Sequence, residues 1–229
     1  MKTKLMILSL IALVFLFSGI SATAQTVEVT IPDMYDTTGA KIAIPIKVSD
    51  VTGLVISSYS FTLAFDPAVL EADDYSSTGA LTDGWLTFLS KKTGEVIVAA
   101  AGTDTLKGSG VLVYVNFTVI GDVGSKTTVA FSQFAFNEGS PSANTNDGSF
   151  SVPKVTHGPV CGAVTATSAR FVIRTDFPTQ AQIFLSQDSN NWTNPVRSGI
   201  FNILAENENF VLIDVNNLTP NTTYCYTAD

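Results

Sequence analysis

The stretch that most constrains this chain is Phe61-Thr-Leu-Ala-Phe-Asp-Pro-Ala-Val-Leu70. Alternation places Phe61, Leu63 and Phe65 on one face of a strand and Thr62 and Ala64 on the other, so the strand is half buried. Asp66-Pro67 then stops it, because proline locks its own φ and drives the residue before it out of helical space. Val69 and Leu70 follow as apolar plugs that return to the core. A chain built this way must find a second layer to cover three large inward side chains.

The flanking sequence supplies strands for that layer. Thr26–Ile31 alternates, and Lys41–Val48 puts Ile42, Ile44, Ile46 and Val48 on one face. Pro45 sits on the other parity and marks an edge or a bulge, since it has no N–H for a ladder. Leu54–Phe65 is the long opening strand, and Asp73–Gly84 reads as a polar loop. Trp85–Leu89 and Glu95–Ala101 are joined by the turn Lys91-Lys-Thr-Gly94. Val111–Val119, Thr127–Phe131 and Gly148–Val152 complete the pattern. Eight or nine strands with no helical period define an all-β class, an antiparallel sandwich or jelly roll.

The ends carry different signals. Residues 1–24 read as a signal peptide: Lys2 and Lys4, an apolar run from Leu5 to Phe17, then Ser21-Ala-Thr-Ala24 before Gln25. The apolar run is short of the roughly 20 residues a membrane-spanning helix needs. Export predicts a secreted protein, extracellular or at the cell surface, with no transmembrane segment once the leader is cleaved. Removing Lys2 and Lys4 leaves ten basic against twenty acidic residues, a charge of −10. Such a chain repels phosphate backbones, which argues against a nucleic-acid partner. The length after Gln25 suits two domains, at residues 25–152 and 159–229, with 153–158 as a Pro-flanked linker. The second region is again β-patterned, through Ser168–Thr175, Gln180–Leu185, Asn209–Val215 and Leu218–Tyr226. A sandwich calls for one more strand beyond Tyr226. The second domain is therefore expected to be incomplete, with an uncovered edge and low stability on its own.

Catalytic chemistry finds little support. His157 is the single histidine and falls in the linker, so neither a triad nor a His-rich zinc site can be assembled around it. Asp73 and Asp74 are adjacent, and neighbours on an extended chain point apart, unlike a glycosidase pair. Asp33, Asp36, Asp73, Asp74 and Asp83 offer hard oxygen ligands for a structural calcium, but no loop has the spacing of a calcium motif, so no cofactor is assigned. Cys161 and Cys225 are the two cysteines. In an exported chain they are either a disulfide or two small buried apolar residues. Trp85, Trp192 and Tyr75 are either a sugar-stacking platform or ordinary packing.

Five blocks, in order, carry a family resemblance. Lys41-Ile-Ala-Ile-Pro-Ile-Lys-Val48, Phe61–Glu71, Gly94–Gly102, Gly110–Val119 and Asn146–Val152 resemble successive strands of the cohesin domain. The resemblance implies a nine-stranded jelly roll without catalytic activity. It implies that one flat sheet face docks a dockerin module, in an extracellular assembly that degrades polysaccharide. The positions that match the family's contact residues are Ser58 and Ser60 on the strand before Asp66-Pro67, and Ala100 and Thr103 on and after the central strand. Here they are small and uncharged, where cohesins often carry acidic or amide groups. Read from the residues alone, Ser58 and Ser60 are equally compatible with a solvated sheet face. The region from His157, with Leu218-Thr-Pro-Asn-Thr-Thr-Tyr224, resembles the fibronectin type III-like N-terminal domain of PhoD-like and purple acid phosphatases, a truncated fibronectin- or immunoglobulin-like sandwich. The second of these motifs is a tyrosine corner, whose Tyr224 hydroxyl is expected to bond backbone upstream. The alternatives to docking are the non-catalytic front of a secreted metallophosphatase and a module that binds carbohydrate directly.

Overall fold

The computed structural model describes residues 26–228; the leader expected at residues 1–24 lies outside them. The first unit has eleven strands: β1 (Val27–Thr30), β2 (Met34–Tyr35), β3 (Lys41–Val48), β4 (Ser58–Ala64), β5 (Leu70–Ser76), β6 (Leu86–Lys92), β7 (Glu95–Ala101), β8 (Gly110–Val119), β9 (Lys126–Phe136), β10 (Ala143–Asn146) and β11 (Gly148–Ser151). One sheet runs β10-β1-β3-β8-β5 and the other β2-β11-β9-β4-β7-β6. Nine strands form the body of the sandwich. The short β2 and β10 extend it by parallel pairing at the sheet edges.

The opening strand does what its alternation requires. Phe61, Leu63 and Phe65 are buried at 2 %, 0 % and 8 % exposure. The Phe65 ring meets Phe117 of the facing sheet edge-on, with centroids 5.1 Å apart. Asp66 staples the turn: its Oδ1 accepts from Ala68 N–H at 2.8 Å and its carbonyl from Val69 and Leu70. Val69 and Leu70 return to the core at 4 % and 0 % exposure. The strand is shorter than its sequence suggests, because Leu54–Ser57 lies outside it. Asn137 closes that end, its Oδ1 accepting from Ser57 and Ser58 N–H.

Two irregularities reassign faces. β9 slips by one residue, so Gln133 pairs with Thr62 while Phe131 pairs with Leu63. This bulge brings Phe131 and Phe134 to the same inner face, where both pack on Phe61. The polar stretch expected to begin as a loop at Asp73 is strand to Ser76. A register shift between Ala72 and Tyr75 turns both acidic side chains outward, contrary to the expected divergence. Asp73 Oδ2 accepts from Thr118 at 2.7 Å and Asp74 Oδ1 from Asn116 at 2.6 Å. Pro45 pairs with Tyr114 on β8, and β1 reaches only Lys47 and Val48, so its missing N–H breaks no ladder there.

The second unit comprises β12 (Val155–Gly162), β13 (Ser168–Thr175), β14 (Thr179–Ala181), β15 (Ile183–Ser186), β16 (Val196–Arg197), β17 (Phe201–Ile203), β18 (Phe210–Asn216) and β19 (Cys225–Ala228). Its sheets are β12-β13-β18, β16-β15-β19 and the pair β14-β17. The expected linker at 153–158 is mostly strand, since β12 starts at Val155 and pairs with β13. The core is smaller, centred on Phe171, Ile173, Ile183, Leu185 and Ile213. Thr219 N–H donates to the Tyr224 hydroxyl at 3.1 Å, the geometry expected of the tyrosine corner. β19 pairs with β15 on one side only. Its inward Tyr226 packs on buried Phe171 and is 42 % exposed.

Candidate partner-binding face

The outer surface of β9-β4-β7-β6 is the candidate site. Its side chains form cross-strand rows fixed by register. Ser58, Ala101 and Leu86 make one row, and Ala135, Ser60, Ala99 and Phe88 the next. Gln133, Thr62, Ile97 and Ser90 follow, then Ala130, Ala64, Glu95 and Lys92. Only the last row is charged, and its Glu95 and Lys92 stand opposite one another. Leu86 is 82 % exposed and Phe88 68 %, more than any other large apolar side chain on a strand of this unit. Few isolated exposed apolar residues need explanation, but two on one face above small side chains form a patch.

The opposite face is chemically different. β3, β8 and β5 present Lys41, Asn116, Thr118, Asp73 and Asp74, and these groups satisfy one another. Lys41 Nζ lies 3.6 Å from Asp73 Oδ2. Glu28 on β1 accepts from Asn144 and Asn146 on β10, each at 2.9 Å. A polar surface already bonded to itself has less to offer a partner.

Ser58 and Ser60 do face outward, half-buried and exposed respectively. Ala100 does not: it is 5 % exposed and points into the core, because β7 buries Val96, Val98 and Ala100 on one parity. Its neighbours Ala99 and Ala101 take the outward positions. Thr103 is exposed but lies in the loop past the end of β7. Leu86, Phe88 and Ile97 were not legible as site residues. Trp85–Leu89 is apolar on both parities, so alternation cannot say which set faces in.

The inward set is decided by Trp85. Its ring stacks on Tyr59 with centroids 6.3 Å apart and lies against Gly102, where a Cβ would meet Trp85 Cε2 at 2.3 Å. Gly102 is thus needed for close approach. Tyr75 donates its hydroxyl to the Thr87 carbonyl at 2.9 Å and packs on the core. Trp192 belongs to the second unit, where its Nε1–H donates to the Ser189 carbonyl at 2.9 Å. The three aromatics do not assemble into one sugar platform.

Other expected chemistry is dispersed. Among the described residues, no three His, Cys, Asp or Glu side chains gather to hold a metal ion. Asp33 accepts from Ser149, Asp36 from Thr37 and Asp83 from Gly79, each capping its own turn or strand. His157 is exposed on β12. Cys161 and Cys225 are free thiols rather than a disulfide. Cys161 on β12 packs on the core together with Tyr224 and Ala228. Cys225 has the opposite parity to Tyr224 on β19, which belongs to a different sheet, so it faces away.

Two sheets packed face to face, one with a self-satisfied polar outer side and the other with an open, nearly uncharged one, define a β-sandwich domain. The sequence profile of the cohesin domain family matches residues 27–152, more than half of the chain, and the chain belongs to that family. Among solved structures it is similar to a non-cellulosomal cohesin from Archaeoglobus fulgidus (20 % identity, TM-score 0.47, over 56 % of this chain and 91 % of that one). It is similar also to the sixth cohesin of scaffoldin B from Acetivibrio cellulolyticus, solved in complex with a Cel5 dockerin (20 % identity, TM-score 0.49, 56 % and 99 %). A third is the OlpA cohesin from Clostridium thermocellum in complex with the dockerin Doc918 (18 % identity, TM-score 0.49, 56 % and 99 %). No curated protein matches the chain.

Proposed function

We propose that this protein is a secreted, non-catalytic docking module. Its cohesin domain binds a dockerin-bearing partner through the outer face of β9-β4-β7-β6, within an extracellular assembly that degrades polysaccharide. The observation that carries the reading is the open face itself, in a chain of this family: its inner side packs on the core, while Leu86 and Phe88 stand uncovered on its outer side. Buried charge is absent from the face, as in the core of a protein interface. The second unit is read as a fibronectin type III-like module, supported by the bond between Thr219 and Tyr224. Titration of the full chain against a panel of dockerins, with calcium present, tests the docking reading. Saturable binding by at least one member is expected, and failure of every member to bind overturns it.

A further inference from the structure

The two units meet with almost no free chain between them. We propose that they form one rigid body, locked by Phe177, in which the second unit stands at a fixed place beside the docking face. The proposal concerns the unbound chain and holds whatever partner that face takes.

The main chain is held first. Val152 is bound to the first unit: its N–H donates to the Ser125 carbonyl at 2.8 Å and its carbonyl accepts from Gly124 N–H at 3.0 Å. Lys154 is bound to the second: its N–H donates to Asp176 Oδ1 at 2.8 Å and its carbonyl accepts from Asp176 N–H at 3.1 Å. Asp176 is itself fixed, because Asn209 Nδ2 donates to its carbonyl at 2.9 Å. The peptide planes on either side of Pro153 are thus pinned, one to each unit. Pro153 is buried and its ring locks φ, so a single torsion, its ψ, is left to act as a hinge.

Domains move relative to one another by default when little joins them. Here a side-chain clasp opposes rotation about that torsion. Phe177 follows β13, and its carbonyl accepts from Thr175 Oγ1 at 2.7 Å. Its ring stacks on Tyr35 of β2, with centroids 5.5 Å apart and planes inclined by 25°. Lys126 Nζ of β9 lies 5.2 Å from the centre of the same ring. The Lys154 stem runs along Gly124, where a Cβ would meet Lys154 Cδ at 3.0 Å. Turning about Pro153 would pull the ring away from both partners.

Register decides on which side the second unit stands. Tyr35, Ser151 and Lys126 are neighbours in one cross-strand row. Lys126 has the parity of Ala130, which lies beside Ala64 on the docking face. Phe177 therefore rests on the docking side of the sheet, roughly 13 Å along β9 from that row. Ser151 is outward in parity and still only 4 % exposed, so this corner is covered. The second unit borders the end of the face that carries Glu95 and Lys92.

Residual dipolar couplings and backbone amide relaxation of the full chain test the proposal. Couplings from both units are expected to fit one alignment tensor with Phe177 seated on Tyr35, and both units to share one rotational correlation time to within about 10 %. Phe177→Ala and, from the other side of the contact, Tyr35→Ala are each expected to free the joint, lowering the second unit's alignment relative to the first by about 2-fold or more. Both side chains lie outside the two cores, and unchanged amide shifts away from the joint confirm folding. Separate tensors or unequal correlation times in the unaltered chain overturn the proposal. So does a single tensor that places the second unit away from Tyr35 and Lys126, or an alignment that neither variant changes.

Discussion

Tyr59→Phe should make the first domain more stable, the reverse of most core substitutions. Tyr59 is 2 % exposed, stacked between Phe61 and Trp85. Its hydroxyl has no hydrogen-bond partner, nor does the nearby buried Thr87 Oγ1. Thr82, also close, donates to the Leu112 carbonyl at 2.6 Å, and its oxygen stands outside hydrogen-bond geometry with the Tyr59 hydroxyl. An unsatisfied buried hydroxyl costs about 1–3 kcal/mol, and removing it leaves the ring packing intact. A gain of about 1–2 kcal/mol is expected, or about 4–8 °C for a domain of this size. A second signature is pH. Burial pushes the Tyr59 hydroxyl up to about 12, only partly offset by the hydroxyls of Thr82 and Thr87. In the unfolded chain the same group ionises near 10. Below pH 10 both states are protonated and the shift has no effect. Between pH 10 and 12 the unfolded state releases a proton that the native state holds, so stability falls by about 1.4 kcal/mol per pH unit. The variant lacks this loss. Its advantage should therefore be flat to pH 10 and then widen by on the order of 2–3 kcal/mol. Urea unfolding in a Trp192→Phe background reads this directly, because the remaining tryptophan, Trp85, stacks on Tyr59. A variant less stable by more than about 1 kcal/mol, or an advantage that stays flat to pH 12, would refute the reasoning, since either outcome means the hydroxyl is well bonded.

Gly102→Ala places a methyl 2.3 Å from Trp85 Cε2. It should displace the indole, cost about 1–3 kcal/mol and shift tryptophan emission to the red; unchanged emission and stability would contradict the packing. In denaturant without reductant, both Cys161 and Cys225 should react with a thiol reagent, and reduction should leave the intact mass unchanged. Protection of both thiols until reductant is added would show a disulfide.

Much of the fold was legible because period-2 patterning is local. Phe61, Leu63 and Phe65 announced an inner face, Asp66-Pro67 announced its end, and both followed from short-range sterics. The tyrosine corner was readable for the same reason: Thr219 and Tyr224 are five residues apart. Ala100 was misread because Val96–Ala101 is apolar on both parities of an unbroken strand, and the acidic pair of β5 because its parity is shifted. A bulge shifts parity for every residue after it, and nothing at Asp73-Asp74 or Ser132 signals one.

The docking face divides along the same line. That β4 has a small, uncharged outer side follows from Ser58, Ser60 and Thr62 themselves, once their strand is recognised. That Leu86 and Phe88 join it does not follow, because Trp85–Leu89 is apolar on both sides. Only long-range packing settles the question: Trp85 is drawn inward against Tyr59 and the bare backbone of Gly102, and the register of β6 on β7 then turns Leu86 and Phe88 out beside Ala101 and Ala99. Alternation states that two faces exist. Which of two apolar faces meets water depends on contacts between residues far apart in the chain, and those exist only in the folded sandwich.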